Sequence, residues 1–228
     1  MGAALDLFKV LFEPTAVFER VREKPTFLAP FIPLAVVLMI VTLFQAPYQR
    51  AAMAARLATM AQQNPQAAEA AQRFSAGGAS IVGIIAAPIV MAIVLVIVAG
   101  VLWVLVSVVG GEGRFTTLLS VATYAAVARI LLSVAGVAVL MLKGTTEITS
   151  MADLQPALGL DLLAPGATGF LLGVLKGINP FAVWGALLTA TGIAVTHKMS
   201  KGSAWAVALT MMVLGVVLGA GGMALASR

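Results

Sequence analysis

The stretch that decides the fold is TTLLSVATYAAVARILLSVAGVAVLML, from Thr116 to Leu142. A helix needs roughly 20 apolar residues to cross the hydrocarbon core of a bilayer. This stretch exceeds that length and holds a single charged side chain, Arg129. It therefore predicts a transmembrane helix with a cation near its middle.

Four other stretches have similar length and no charge at all. We therefore predict an all-α integral membrane protein with five transmembrane helices in one membrane domain, residues 27–228. Backbone polar groups must be satisfied internally in lipid, so helices are the expected spanning elements. The predicted spans are 27–46, 79–109, 116–142, 177–196 and 203–226.

The composition supports a membrane protein over a soluble one. Hydrophobic residues make up 61% of the 228 residues, charged residues 10%, and the mean hydropathy is +1.05. Soluble domains carry about 25% charged residues. The net charge of +5 is better explained by the basic loops that membrane insertion favours than by a nucleic-acid partner, which we do not expect.

Residues 1–26 form a charged, amphipathic segment. Phe8, Leu11 and Phe12 share one helical face, and a second apolar face follows Pro14. We expect an interfacial helix on the cytoplasmic surface of the bilayer, with docking to a partner as the alternative. The bases of this segment favour a cytoplasmic N-terminus and, after five crossings, an extracytoplasmic C-terminus.

Two long loops are predicted on the outer side. Residues 47–78 favour helix, either as a hairpin or as extensions of the neighbouring spans, with an interruption at Asn64 and Pro65. Residues 169–175 are apolar but too short to cross, which indicates a re-entrant or interfacial segment.

The sequence does not indicate an enzyme. No predicted span contains Asp or Glu, cysteine is absent, and the one histidine, His197, lies at a helix end. We find no metal-binding, nucleophile-elbow or phosphate-loop motif. We therefore predict no catalytic residues, no cofactor and no metal.

Two loops on the cytoplasmic side carry the candidate contacts for a partner. In VVGGEGRFTT, from Val108 to Thr117, three glycines favour a tight turn or, alternatively, an anion-binding nest at which Arg114 assists. The second loop, HKMSKGSAW from His197 to Trp205, could contact anionic headgroups or simply set the topology. The candidate loop residues are Glu112, Arg114, His197, Lys198 and Lys201.

Small residues indicate close helix packing. Gly215 and Gly219 form a GxxxG pair, and Gly192 and Gly136 lie in neighbouring spans. Such residues let helices approach closely, within one chain or between chains.

Arg129 and Tyr124 are the candidate intramembrane polar residues. Uncharged runs of 14 and 13 residues flank Arg129. A charge at this depth costs roughly 2.5–3.5 kcal/mol on insertion scales. We favour an inward-facing Arg129 bound by oxygen atoms, and the alternative is an interfacial side chain that reaches the headgroups.

Three stretches together resemble the Yip family of multispanning membrane proteins. They are LFEPTAVFERVREKP before the first span, GGEGRFTTLLSVATYA between the second and third, and NPFAVWGALLTATGIAVTHKMSKGSA through the fourth. The resemblance implies five helices with a cytoplasmic N-terminus, as the residues also predict.

For function, the resemblance implies membrane organisation or trafficking, and eukaryotic members interact with Rab-type GTPases. Family members often have a proline near the middle of the third helix, where this chain has Ala128 and Arg129, so no role for Arg129 carries over. The short N-terminus also differs from the longer region expected of GTPase-binding relatives. The Ala- and Gly-rich composition favours a bacterial inner-membrane member.

The expected function is therefore non-enzymatic organisation of the membrane or scaffolding of partners. The alternative is a transporter or channel for an anion or small solute that uses Arg129. The expected partner is the lipid bilayer; a homo-oligomer and an unidentified membrane or cytoplasmic protein are left open.

Overall fold

A computed structural model describes the backbone of residues 2–75 and 79–226, with side chains for 5–72 and 82–225. The predicted boundaries 1–26 and 27–228 include residues 1, 76–78, 227 and 228, which lie outside the described residues. In the described ranges the regular structure is helical, with no strand. The α-helices are α1 (Gly2–Lys9), α2 (Pro14–Glu23), α3 (Leu28–Gln63), α4 (Pro65–Ser75), α5 (Ala79–Val108), α6 (Phe115–Lys143), α7 (Gly169–Gly177), α8 (Pro180–Thr196) and α9 (Lys201–Ala226).

Four described helices are long and apolar enough to cross a membrane: Leu28–Gln63, Val82–Val108, Phe115–Lys143 and Lys201–Leu225. A fifth crossing is obtained if α7 and α8, bent by 56° at a short break, are one span. The chain is thus an all-α protein with four to five candidate spans. Helix α6 has the most protected apolar window of the four, 33% buried against 17–22% for the others.

The first predicted loop contains an extension of a spanning helix, followed by a second helix, α4. Helix α3 runs for 36 residues, roughly 54 Å at 1.5 Å per residue, which exceeds a hydrocarbon core of about 30 Å. It ends where the sequence predicts an interruption. The Asn64 side chain there accepts a hydrogen bond from the Ala67 amide at 3.1 Å and caps α4.

By its contacts the chain divides into two compact units. The first comprises the described parts of Met1–Leu34, Ala92–Leu131 and Ala157–Arg228, and the second comprises Ala35–Met91 and Leu132–Pro156. Because α3, α5 and α6 contribute segments to both, the units do not follow the order of the chain.

The first unit is built around a contact between α2 and α8. Helix α2 buries Val17, Phe18 and Val21, and the Phe18 ring meets the Tyr124 ring edge-on, with centroids 6.2 Å apart. The contact depends on Gly192 of α8, where a Cβ atom would lie 2.6 Å from Val121 Cγ1 and 3.1 Å from the Phe18 ring. The apolar face of α2 therefore packs against protein, which corrects the expectation that it lies against lipid.

The close helix contacts only partly match the predicted glycines. A Cβ atom on Gly173 of α7 would lie 2.4 Å from Ala220 Cα, so the backbones of α7 and α9 touch there. Around Gly215 and Gly219 there is open space, and Gly136 makes only an ordinary contact. The prediction is confirmed for Gly192 and wrong for the GxxxG pair within the described chain.

The second unit has a small apolar core of Tyr48, Ala52, Leu140 and Ile148. Next to this core in sequence, Asp153 Oδ2 accepts hydrogen bonds of 2.8–3.1 Å from the amides and hydroxyls of Thr149 and Ser150. Partial burial acts to raise the pKa of Asp153, but these four hydrogen bonds outweigh it and lower the pKa below 3.8. This carboxylate fixes the turn that follows α6.

Substitution Gly192→Val should destabilise the protein by about 1–3 kcal/mol, because the added side chain overpacks the contact with Val121 and Phe18. Thermal unfolding in detergent is the measurement. Gly100→Ala is the matched control, since nothing lies within 4 Å of its Cβ position; it should leave the midpoint unchanged or raise it slightly. Equal midpoints for wild type and Gly192→Val would contradict the packing described.

Candidate functional site

The candidate site lies where two loops of the first unit meet. We call the segments 109–114 and 196–200 the loop pair. Together with Ser203 of α9 they enclose a pocket of about 360 Å³, lined by Val109, Gly110, Gly111, Glu112, His197, Lys198, Met199, Ser200 and Ser203. The fold thus brings together two loops separated by more than 80 residues of sequence.

The first loop is a helix cap and not an anion-binding nest. The Gly111 amide donates to Val106 O at 2.9 Å and the Gly110 amide donates to Ser107 O at 3.1 Å. With Gly110 at φ +84°, these bonds form a Schellman motif that ends α5. Because both amides bond back to the helix, the nest alternative is wrong and the tight turn is confirmed.

Trp103 contacts the end of this loop that precedes α6. Its indole N–H donates to the Gly113 carbonyl at 3.1 Å, and a Cβ atom on Gly113 would lie 2.7 Å from Trp103 Cδ1. Position 113 therefore has room only for glycine. Sequence reasoning missed Trp103, although a tryptophan about two helical turns before a glycine-rich loop is a usable signal.

His197 joins the two loops. Its Nε2 atom accepts a hydrogen bond from the Arg114 amide at 3.3 Å. The Thr196 hydroxyl donates to Gly192 O at 2.6 Å, and His197 Nδ1 lies 2.7 Å from that hydroxyl oxygen. Since the hydroxyl proton is directed to Gly192, Nδ1 carries the imidazole proton and donates to Thr196. Both ring nitrogens of a neutral imidazole are thereby used.

The pKa of His197 is held below its ordinary value of 6.5, first by burial and second by the charge of Arg114. Protonation of Nε2 would also break its hydrogen bond to the Arg114 amide. The neutral form is therefore the one that holds the loop pair together.

The remaining loop candidates lie close to this contact. Glu112 and Lys198 both line the pocket with exposed side chains, and Lys198 adopts φ +51°. Arg114 takes part through its backbone, whereas Lys201 begins α9 outside the pocket lining. Ser200 caps α9 by accepting a hydrogen bond from the Ser203 amide at 3.1 Å.

The two intramembrane candidates lie elsewhere and differ from each other. Tyr124 is 2% exposed, packs on Phe18, and its hydroxyl is hydrogen-bonded to Thr26. Arg129 is exposed on α6, so the inward-facing, buried placement that we favoured is wrong. The alternative, that Arg129 reaches the headgroups, stays a prediction.

These features define a multispanning α-helical membrane protein in which an N-terminal helix docks on the helix bundle. The Yip1 domain family matches residues 8–222. The chain belongs to this family.

A bacterial relative supports the assignment. The membrane protein YknW of Bacillus subtilis (strain 168) is 26% identical over 216 residues, which cover 92% of this chain and 87% of that protein. No solved structure matches the chain. The family assignment therefore rests on sequence.

Acidification should weaken the fold through His197. Above about pH 6.5 the imidazole is neutral in both folded and unfolded chains, so it adds no pH dependence. Below that pH the unfolded chain takes up the proton first, because the folded pKa is lower, and the stability falls. The wild-type thermal midpoint should therefore fall as the pH is lowered from 7.5 to 5.

His197→Gln is the matched variant, because an amide oxygen can accept from the Arg114 amide but does not titrate in this range. Its midpoint should vary less across the same interval. A wild-type profile parallel to that of His197→Gln would contradict the role given to the imidazole.

Proposed function

We propose that this Yip-family protein is a non-enzymatic organiser of the membrane, which shapes or orders one leaflet and scaffolds partners there. The basic N-terminal residues and the bacterial relative support a bacterial inner membrane with the N-terminus, α1, α2 and the loop pair on the cytoplasmic side. Under this orientation the loop pair is the surface offered to a cytoplasmic or membrane partner.

The observation that carries the proposal is the exposed apolar face formed by α1 and the turn that follows it. Leu5, Phe8 and Phe12 are 59%, 70% and 76% exposed, although they belong to a segment with as many bases as acids. The opposite face of this segment buries Leu7 and Val10. Helix α1 therefore presents large apolar side chains outward from a well-packed base.

The base holds α1 in a fixed orientation. Arg20 of α2 donates to Asp6 of α1 at 2.6 Å, and α2 is fixed in turn by the burial of Phe18 against Tyr124. Because α2 buries its apolar side chains Val17, Phe18 and Val21 against protein, the exposed apolar side chains of this N-terminal segment belong to α1 and the turn after it. Burying each of Leu5, Phe8 and Phe12 in the interface would contribute about 1.5–3 kcal/mol.

A fixed apolar wedge in one leaflet is a physical means of organising a membrane. It displaces lipid on one side only, and the balanced charge of residues 1–26 means that apolar insertion, more than charge attraction, drives it. The attachment should thus depend little on salt or on anionic lipid.

The contacts of the loop pair favour a binding role over a catalytic one. His197 is the only histidine, and both of its ring nitrogens make structural hydrogen bonds. The transport alternative was motivated in part by a buried Arg129, and that side chain is exposed, so this observation does not favour transport. We therefore retain one proposed function.

Reconstitution tests the proposal. At a fixed protein-to-lipid ratio in phosphatidylethanolamine–phosphatidylglycerol vesicles, wild type should reduce the mean vesicle diameter or produce tubules, as measured by electron cryomicroscopy. The triple substitution Leu5→Ser, Phe8→Ser, Phe12→Ser should lose most of this effect, because it removes the wedge and leaves the α2 contact intact.

A matched control removes exposed leucines at another place. Leu162→Ser with Leu163→Ser changes residues that are 65% and 81% exposed in the loop before α7, and should keep the wild-type effect. Vesicles unchanged by wild type, or changed equally by the triple variant, would contradict the proposal.

A further inference from the structure

A buried acid in the loop before α7 has no role in the contacts described so far. Asp161 is 4% exposed and lies in a 3-10 turn, Leu160–Leu163. Its Oδ1 atom accepts a hydrogen bond from the Gly159 amide at 2.9 Å. Its Oδ2 atom is buried and has no hydrogen-bond partner among the described residues.

Burying such an oxygen without a partner costs free energy of folding. A carboxylate withdrawn from water loses several kcal/mol of hydration unless a hydrogen bond or an opposite charge replaces it. One amide bond to Oδ1 satisfies one side of the carboxyl group only. A positively charged ligand would therefore satisfy the other oxygen atom, Oδ2.

The surroundings supply further oxygen atoms. The turn packs on the break between α7 and α8, where the Leu160 amide donates to Ile178 O at 3.1 Å. A Cβ atom on Gly159 would lie 2.7 Å from Ile178 O and 2.9 Å from Leu175 O. Two carbonyl oxygens thus face the same glycine whose amide binds Asp161.

These oxygen atoms belong to the C-terminal end of α7 and to the break that follows it. The carbonyl end of a helix carries partial negative charge, which attracts a cation and repels a carboxylate. A cation close to both this carbonyl end and the Asp161 side chain would be attracted by each of them. Broken helices in membrane proteins use carbonyl ends for this purpose.

We propose that Asp161 Oδ2, with the carbonyl oxygens of Leu175 and Ile178, binds a monovalent alkali cation such as sodium. Carboxylate and carbonyl oxygens are hard ligands, suited to alkali and alkaline-earth ions. One carboxylate neutralises one positive charge, whereas a divalent ion would leave a buried excess charge. The charge balance therefore selects the monovalent ion.

Gly159 is part of the site because a side chain there would occupy the space between the two carbonyl oxygens. The cation would fasten the 3-10 turn to the α7–α8 break. It would thus stabilise the 56° bend between α7 and α8.

The experiment compares thermal unfolding of the full chain in nanodiscs in sodium, potassium or choline chloride at equal ionic strength and pH. A bound ligand raises the midpoint by mass action, so sodium at about ten times its dissociation constant should raise it by roughly 4 °C over choline. Titrated sodium should also show a broadened 23Na resonance in the presence of protein.

Two substitutions separate the site from general effects of charge. Asp161→Asn should abolish both the sodium-dependent shift and the broadening, because a neutral amide can satisfy the site without a cation. Asp153→Asn is the matched control: its carboxylate already accepts four hydrogen bonds, so it should lower the midpoint in every salt and keep the sodium shift.

Three results would overturn the proposal. The first is a wild-type midpoint that is equal in sodium, potassium and choline. The second is stabilisation by calcium or magnesium but by no alkali ion. The third is stabilisation by lower pH alone, which would mean that Asp161 simply holds a proton. The wild-type salt series gives these answers even if Asp161→Asn fails to fold, and Gly159→Ala then serves as the second variant that should lose the sodium shift.

Discussion

The contact between Phe18 and the surface made by Gly192, Val121 and Tyr124 is the interaction on which the rest of the first unit depends. It exists because position 192 has no side chain: a single Cβ atom would lie 2.6 Å from Val121. The same contact fixes α2, and the Arg20–Asp6 ion pair then fixes α1. One turn further along α8, Gly192 O accepts the Thr196 hydroxyl that sets the tautomer of His197. The N-terminal wedge and the loop pair therefore share one anchor.

In this arrangement the two helices of the N-terminal segment make different contacts. In an amphipathic helix that is not packed against protein, every apolar face would insert into the lipid interface. Here the apolar face of α2 packs against protein, whereas Leu5 and Phe8 of α1 and Phe12 just after it are exposed; under the proposed function these three side chains contact the bilayer. The wedge is consequently held at a fixed place relative to α8 and does not drift on a flexible tether. A rigid attachment is what converts lipid insertion into a directed effect on the leaflet.

The fold class was predictable because hydropathy is a local property of sequence: apolar runs, helix caps such as Asn64 and the turn at Gly110 need no tertiary information. The packing of the helices was not predictable from the sequence. Gly192 and Gly215 look alike in sequence, and only the rotation of each helix decides that one is enclosed and the other open. The predicted inward-facing placement of Arg129 was wrong for the same reason, because a central position along a helix does not fix the face on which a residue lies. Asp161, in an apolar loop, reads as an ordinary surface acid, and its burial appears only in the folded chain.

The central claim is that α1 faces lipid while α2 faces protein. Because the chain has no cysteine, single cysteines at positions 8 and 18 can carry spin labels in the protein reconstituted into vesicles, without other labelling. The account predicts that the label at position 8 is reached readily by oxygen dissolved in lipid, and that the label at position 18 is immobile and reached by neither oxygen nor a water-soluble nickel complex. Equal access of lipid-dissolved oxygen to both positions would contradict it.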